Sequence, residues 1–337
     1  MKMHTKQQNV TICFGGDVML GRTVNDIMQQ KGTSYPWGNL INIFKNADCT
    51  LVNLETTLTT HTKKEPKVFN FQSLPVHVQS LKDAYITAVT LANNHSKDFG
   101  NEGLIETITT LDKAHIHHAG AGKNILEAKK PVIIKPANNM TIGILGYTDN
   151  EPDWQATSKN PGINYIKIDP NNMEDIISDI ESLRLQVDIL IVSLHWGPNM
   201  LEFPLQEHIA FAHALVDHGV DIIHGHSAHI LQGIEFYRGK LILYDTGDLV
   251  DDYAVDSSLR NDLSAIFQVS CSKRNVQSKE KGPIEMVLKV IPVKIENMQT
   301  NTCTGETRQM VFDLLNKRSA QFKTFISDAG LLCSGKI

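Results

Sequence analysis

Little in this chain of 337 residues points to covalent cross-linking or a membrane. Its five cysteines, Cys13, Cys49, Cys271, Cys303 and Cys333, form no C-x-x-C pair and are odd in number. That pattern argues against a disulfide framework or a structural zinc site and fits a reducing compartment. No apolar run approaches the ~18 residues of a membrane span. The opening MKMHTKQQNVTICF lacks the charged region followed by an apolar stretch that marks a secretory signal. The expectation is a cytoplasmic protein without a membrane span. An excess of positive charge is also missing: Lys+Arg 32 against Asp+Glu 37 gives a net charge of -5, no footprint for a phosphate backbone, so nucleic acid is not expected as a partner. With only 12 prolines, 41% hydrophobic residues and no repeat or low-complexity tract, the chain can bury a substantial core.

What is present is a series of short apolar runs with polar residues at their carboxyl ends. VTICFGGD at 10–17, CTLVNLE at 49–55, AVTLANNH at 88–95, TIGILGYT at 141–148, VDILIVSLHWG at 187–197 and VDIIHGH at 220–226 read as buried strands. Helix-period stretches at Glu102–Ala114, Asn171–Leu185 and Leu205–His218 separate several of them, which predicts an α/β protein. From Ile230 the texture becomes strand after strand and reads as an antiparallel meander. We expect one domain over 8–300, two mixed sheets packed face to face and flanked by helices, with 301–337 as a helical tail docked outside; a two-domain split near Leu231 is the alternative. Thr60–Lys67 and Lys273–Lys281 read as solvated loops.

Open α/β sheets place ligands beyond the carboxyl ends of their strands, so residues distant in sequence can converge there. Those residues are Asp17, Asn53, Glu55, Asn93, Asn94, His95, His195 and the segment His224–His229, and seven of the 14 histidines fall from His195 to His229. Carboxylates, amides and imidazoles together suit Mn, Fe or Zn better than an all-oxygen or thiolate site. The expectation is a centre of two divalent transition-metal ions. His115, His117 and His118 read as structural or edge-exposed, because neighbours on a strand face opposite ways. Asp245, Asp248, Asp251 and Asp252 read as a solvated turn from which Asp245 and Asp248 can reach the site.

GGDVMLGR at 15–22, NLETTLT at 53–59, LANNHSKDFG at 91–100, HWG at 195–197 and GHSAHILQGIEFYRGKLILYDTGD at 225–248 resemble, in order, the motifs of the CapA (poly-γ-glutamate synthesis) family within the calcineurin-like metallophosphoesterase superfamily. The resemblance implies a metallophosphatase-like αββα four-layer sandwich with a two-metal site at the sheet ends. Metal ligands would be Asp17, Glu55 as the bridging acid, Asn94, His195, His226 and His229, with His224 in reserve. His95 would be the catalytic acid, and Arg22, Asn53, Asn93 and Asp248 would bind substrate. The chain departs from the pattern at Met19, where the superfamily has a histidine, at Glu55 in place of aspartate, and at Ala228 in the second histidine position.

A metal-activated water would attack a phosphoester or a related bond in a small or polymeric anionic substrate, and His95 would protonate the leaving group. The alternatives are poly-γ-glutamate or γ-glutamyl amide metabolism, and a non-catalytic scaffold with a degraded metal site.

Overall fold

Strands buried on both faces organise the molecule. In the first strand, Val10, Ile12 and Phe14 point into one apolar cluster and Cys13 into another, the alternation that a pleated strand imposes. In the strand over Ile189–His195, Ile189 and Ile191 enter that same first cluster, while Leu190, Val192 and Leu194 enter a third. Two sheets therefore share a core between them, and each has a second core on its outer side.

The computed structural model describes residues 8–137, 140–273 and 284–333. Its main elements are β1 (Gln8–Val18), α1 (Arg22–Lys31), β2 (Cys49–Leu54), β3 (Ala88–Thr90), α2 (Gly100–Ala114), β4 (His117–Ala119), β5 (Val132–Ile134), β6 (Ile142–Thr148), α3 (Glu174–Arg184) and β7 (Ile189–His195). There follow α4 (Gln206–Asp217), β8 (Ile222–His226), β9 (Ile234–Tyr237), β10 (Lys240–Leu243), β11 (Asp248–Val250), β12 (Leu263–Lys273), β13 (Ile284–Glu296), β14 (Gln299–Thr302), α5 (Gly305–Ser319) and β15 (Leu331–Cys333). The first sheet runs β14-β13-β12-β1-β2-β3-β4, with β11 beside the end of β1 and β15 beside β13. The second runs β9-β10-β8-β7-β6-β5. Val24 and Met28 of α1 and Leu104, Ile108 and Leu111 of α2 cover the first sheet. Ile176, Ile180 and Leu183 of α3 and Phe211 and Leu215 of α4 cover the second. These are the four layers expected from the sequence. No helix among the described residues is long and apolar enough to cross a membrane.

The second half differs from a simple meander. The β9–β10 hairpin belongs to the second sheet, with β10 parallel to β8, whereas β11 pairs in parallel with β1 and β12–β13 form a long antiparallel hairpin in the first sheet. The chain crosses the sandwich over 244–247. Gly247 takes φ +67 there, and a Cβ on Gly16 would lie 1.7 Å from the Gly247 carbonyl oxygen, so the crossing needs a glycine at position 16.

The tail is not an external appendage. Val311, Phe312 and Leu315 of α5, with Ile326 and Leu332, sit in the cluster between the sheets, and β14 spans the expected boundary at 300. Helical spacing beyond Ser319 gives way to a short 3-10 turn and then β15. His115 ends α2 in a left-handed conformation (φ 59); exposed His117 and half-buried His118 lie on the edge strand β4. The stretch Lys273–Lys281 lies outside the described residues beyond Lys273.

Candidate metal centre

Parallel pairing brings the strand ends into line. Asp17 is in register with Asn53 of β2 on one side and Asp248 of β11 on the other. Across the sandwich, His195 of β7 is in register with His226 of β8. Asp17, His195 and His226 offer ligand atoms within 4.8 Å of one another, and so do Asp17, Glu55 and His229. Asp17 is the carboxylate common to both groups, although the resemblance gives the bridging role to Glu55. Glu55 still reaches both sides: its Oε1 is 3.9 Å from His195 Nε2 and 3.8 Å from His95 Nε2, and its Oε2 is 4.0 Å from His229 Nδ1.

His229 takes φ 58 and Ser227 φ 116, backbone conformations that a side chain disfavours and that cluster at working sites. Asp245 holds this turn, its Oδ2 accepting the Ala228 N–H at 2.7 Å and its Oδ1 the Gly247 N–H at 2.8 Å. The result points His229 Nδ1 at Asp248 Oδ1 (2.8 Å) and Asp17 Oδ2 (3.3 Å).

The pattern of satisfied and unsatisfied atoms tests whether these residues suit metal ions. Both oxygens of Glu55, Asp248 Oδ2, His195 Nε2 and Asn94 Oδ1 are buried without a hydrogen-bond partner. Such atoms carry a desolvation cost of ~1–3 kcal/mol each, more when charged, and those of Glu55 and His195 face each other 3.9 Å apart in the groups that share Asp17. His195 Nδ1 is engaged, 2.9 Å from His226 Nδ1 and 3.3 Å from Asn53 Nδ2, which leaves Nε2 as the free atom of that ring. The residues fit.

Electrostatics divide the cluster without metal into neutral imidazoles and a proton-holding His229 and Glu55. Burial pushes His195 down to about 4 and His226 well below the usual imidazole range, leaving both neutral and able to ligate. Burial also lowers His229, but Asp248, Glu55 and Asp17 overcome it and raise that imidazole well above its usual range. Burial, reinforced by Asp17, lifts the Glu55 carboxyl far above normal. Asp17 itself is held low: burial opposes its ionisation, but the bond and field of His229, with His226 and His195, prevail.

His95 packs flat on Phe71, ring centroids 3.8 Å apart, and its Nδ1 lies 2.6 Å from Asp98 Oδ2. A carboxylate there assigns the proton to Nδ1, so the Nε2 lone pair faces Glu55. Burial lowers the His95 pKa against the opposing pull of Asp98, and the ring is mostly neutral at neutral pH, an acceptor more than a ready donor. Asp98 also accepts the Phe71 N–H at 2.7 Å and Lys67 Nζ at 3.1 Å. Lys67 donates to the Asn94 carbonyl as well, so the end of the stretch Thr60–Lys67 is tied to the site rather than solvated.

The other expected site residues have the following partners. Asn53 and Asn93 are fully buried and their amides are committed: Asn53 Nδ2 donates to Asp17 Oδ1, Asn93 Nδ2 donates to Asn53 Oδ1, and Asn93 Oδ1 accepts the His95 N–H. They hold Asp17 and the His95 backbone in place. His224, the reserve ligand, has its Nδ1 at 3.0 Å from Ser193 Oγ and its Nε2 at 2.9 Å from the Gly15 carbonyl. Asp248 is buried, with its Oδ1 2.8 Å from His229 Nδ1. The acidic turn is likewise buried at Asp245, Asp248 and Asp251. Arg22 lies at the rim, paired with Asp252 and over the rings of Phe71 (5.1 Å) and Tyr253 (5.4 Å). Met19 is packed in the core of the first sheet and Ala228 is buried; neither offers a ligand. Asp98, Lys67 and Phe71 were missed, and the spacing His95-x-x-Asp98 was the one available signal.

The family model described as bacterial capsule synthesis protein PGA_cap matches residues 11–253. A probable polyglutamine synthesis accessory protein of Mycobacterium tuberculosis is 30% identical, across 93% of this chain and 92% of its own. The PGA biosynthesis protein CapA of Bacillus subtilis is 32% identical, across 87% of this chain and 76% of its own. The capsule biosynthesis protein CapA of Bacillus anthracis is 29% identical, across 85% and 72%. The matched region contains Asp17 and Asp248 and everything between them.

Proposed function

The chain belongs to the bacterial capsule synthesis protein PGA_cap family, and on that premise we propose that the strand-end cluster is a metal-dependent hydrolytic centre acting on an anionic small-molecule or polymeric substrate. One observation carries this reading: Asp17, Glu55, His195, His226 and His229 bring buried ligand atoms within 4.8 Å of one another in two groups that share Asp17, and both oxygens of Glu55 and His195 Nε2 have no hydrogen-bond partner. A scaffold that had lost its metals would have no reason to keep them.

Asp17, Glu55, Asn94, His195, His226 and His229 would hold up to two divalent ions of the Mn, Fe or Zn type. Such ions supply a nucleophilic water at neutral pH and polarise the scissile bond. The protein's own part is positioning and proton handling. Asn53 fixes one oxygen of Asp17, leaving the other for a ligand. Asp98 fixes the His95 tautomer so that Nε2 takes a proton at the centre and passes it to the leaving group. Arg22 presents positive charge at the rim, where an anionic substrate enters.

Two bond classes suit this machinery. The metallophosphoesterase resemblance supports a phosphoester. A γ-glutamyl amide is the second reading, favoured by the capsule and PGA biosynthesis named for the relatives. The full chain, purified without chelators, should contain Mn, Fe or Zn and turn over an aryl phosphate or a γ-glutamyl anilide in a chelator-sensitive, metal-restored manner. Absence of metal, with no uptake on reconstitution, would overturn the proposal; turnover of the anilide alone would select the amide.

A further inference from the structure

A line of buried polar groups joins the two sheets through His224. Ser193 of β7, His224 of β8 and Thr246 of the crossing segment are all fully buried. The pairing of β1 with β2 shifts register between Phe14 and Asp17, and within that irregularity the Gly15 carbonyl meets His224 Nε2 across the sandwich at 2.9 Å. Thr246 Oγ1 stands 3.3 Å from the same nitrogen while donating its own hydrogen to the Gly225 carbonyl at 2.9 Å. At the other ring nitrogen, Ser193 Oγ lies 3.0 Å from His224 Nδ1 and 3.0 Å from His226 Nε2.

These contacts have one consistent assignment of protons. A backbone carbonyl only accepts, and Thr246 Oγ1 has its hydrogen committed elsewhere, so His224 Nε2 carries the proton. Both ring nitrogens of His224 meet uncharged groups, and the buried ring packs beside Phe14. It is therefore neutral, with a bare Nδ1. Ser193 donates to that nitrogen, and its oxygen in turn accepts from His226 Nε2. His226, kept neutral by burial, then holds its one ring proton on Nε2, and its Nδ1 lone pair faces Asp17 Oδ1 at 3.7 Å and His195 Nδ1 at 2.9 Å. We infer that His224 and Ser193 are positioning residues that fix the tautomer and orientation of His226, so that it offers Nδ1 to the strand-end cluster. The direction of the relay is set by Gly15, two residues before Asp17, so the strand that carries one ligand also selects the ligand atom of another across the sandwich. The consequence for metal affinity rests on the metal centre proposed above; the proton assignment does not.

The test is long-range proton–nitrogen correlation NMR of the full chain, labelled at the histidine ring nitrogens and held with chelator near neutral pH. A protonated and a bare ring nitrogen differ widely in shift, so each tautomer is read directly. His224 and His226, identified by the signals lost in His224→Gln and His226→Gln, should both carry the proton on Nε2 and show a bare Nδ1. A proton on Nδ1 of either ring would overturn the inference. Ser193→Ala removes the hydroxyl that links the two rings. His226 should then become a mixture of tautomers, and affinity for Zn, measured by competition with a chromophoric chelator, should fall by about 10- to 100-fold. Thr246→Val takes a hydroxyl from beside His224 but leaves the Gly15 carbonyl, so both readouts should stay as in wild type. An unchanged His226 tautomer or unchanged affinity in Ser193→Ala, or equal losses in the two variants, would also overturn the inference. If Ser193→Ala does not fold, the wild-type tautomers decide. Wild type that takes up no metal would defeat the metal centre, and the spectra recorded with chelator would still decide the relay.

Discussion

Asn53 Nδ2 donates to Asp17 Oδ1 at 2.8 Å across two parallel strands in register. One oxygen of Asp17 is thereby committed and the other faces His229 Nδ1 at 3.3 Å. A neighbour that orients a ligand in this way contributes to metal affinity without touching the metal.

Asn53→Ala should therefore lower metal affinity by about 10- to 100-fold, the usual cost of losing such a support, while the fold persists. Competition against a chromophoric chelator measures it. Unchanged affinity would show that Asp17 holds its position without help.

Glu55 gives a pH-dependent prediction for the metal-free protein. Burial and Asp17 raise its folded-state pKa above the ordinary 4.5. A group shifted upward contributes stability that is fully present below its unfolded pKa and is lost as pH rises through the folded value. Metal-free wild type should thus lose stability relative to Glu55→Gln from about pH 4.5 upward. Adding metal should reverse the order, because glutamine is the poorer ligand. Thermal unfolding of both proteins with chelator between pH 4.5 and 8 checks this, and parallel curves would contradict it.

The tail is tested by Leu315→Ala. Leu315 is fully buried between the sheets, and removing such a side chain costs about 2–5 kcal/mol. Denaturant unfolding should show a loss in that range; a loss near zero would return α5 to the role of an external appendage.

The strand ends were legible because the physics is local: an apolar run that stops at Asp17, Asn53, His195 or His226 must be a buried strand, and parallel strands collect their ends on one side. The four layers follow from the same alternation. What could not be read depends on the path of connecting segments. Nothing in the sequence of Lys67 or Phe71 says that they fold back onto Asp98, and the run from Asp245 to Asp252 has the composition of a solvated turn although it crosses the sandwich buried. The hydrogen bonds that engage Asn93 and His224 are likewise made by partners distant in sequence. The tail's helical spacing was visible, but the core that it faces was not.

The pair His95–Asp98 separates proton handling from metal binding. His95 Nδ1 is engaged by Asp98 at 2.6 Å, and its Nε2 faces the cluster from 3.8 Å. If the ring carries a proton to the leaving group, His95→Asn should keep the metals and slow turnover by about 10²- to 10⁴-fold, the range for a positioned acid-base group. Asp98→Asn should keep the ring in place but release its tautomer, so its loss should be smaller and in the same direction. The loss in both variants should grow with the basicity of the leaving group, since an aryl phosphate departs with little help while an alkyl phosphate or an amide needs a proton. Metal content measured alongside keeps the reading clean. Equal losses across the leaving-group series would remove His95 from proton transfer, and metal loss in His95→Asn would place it among the ligands instead.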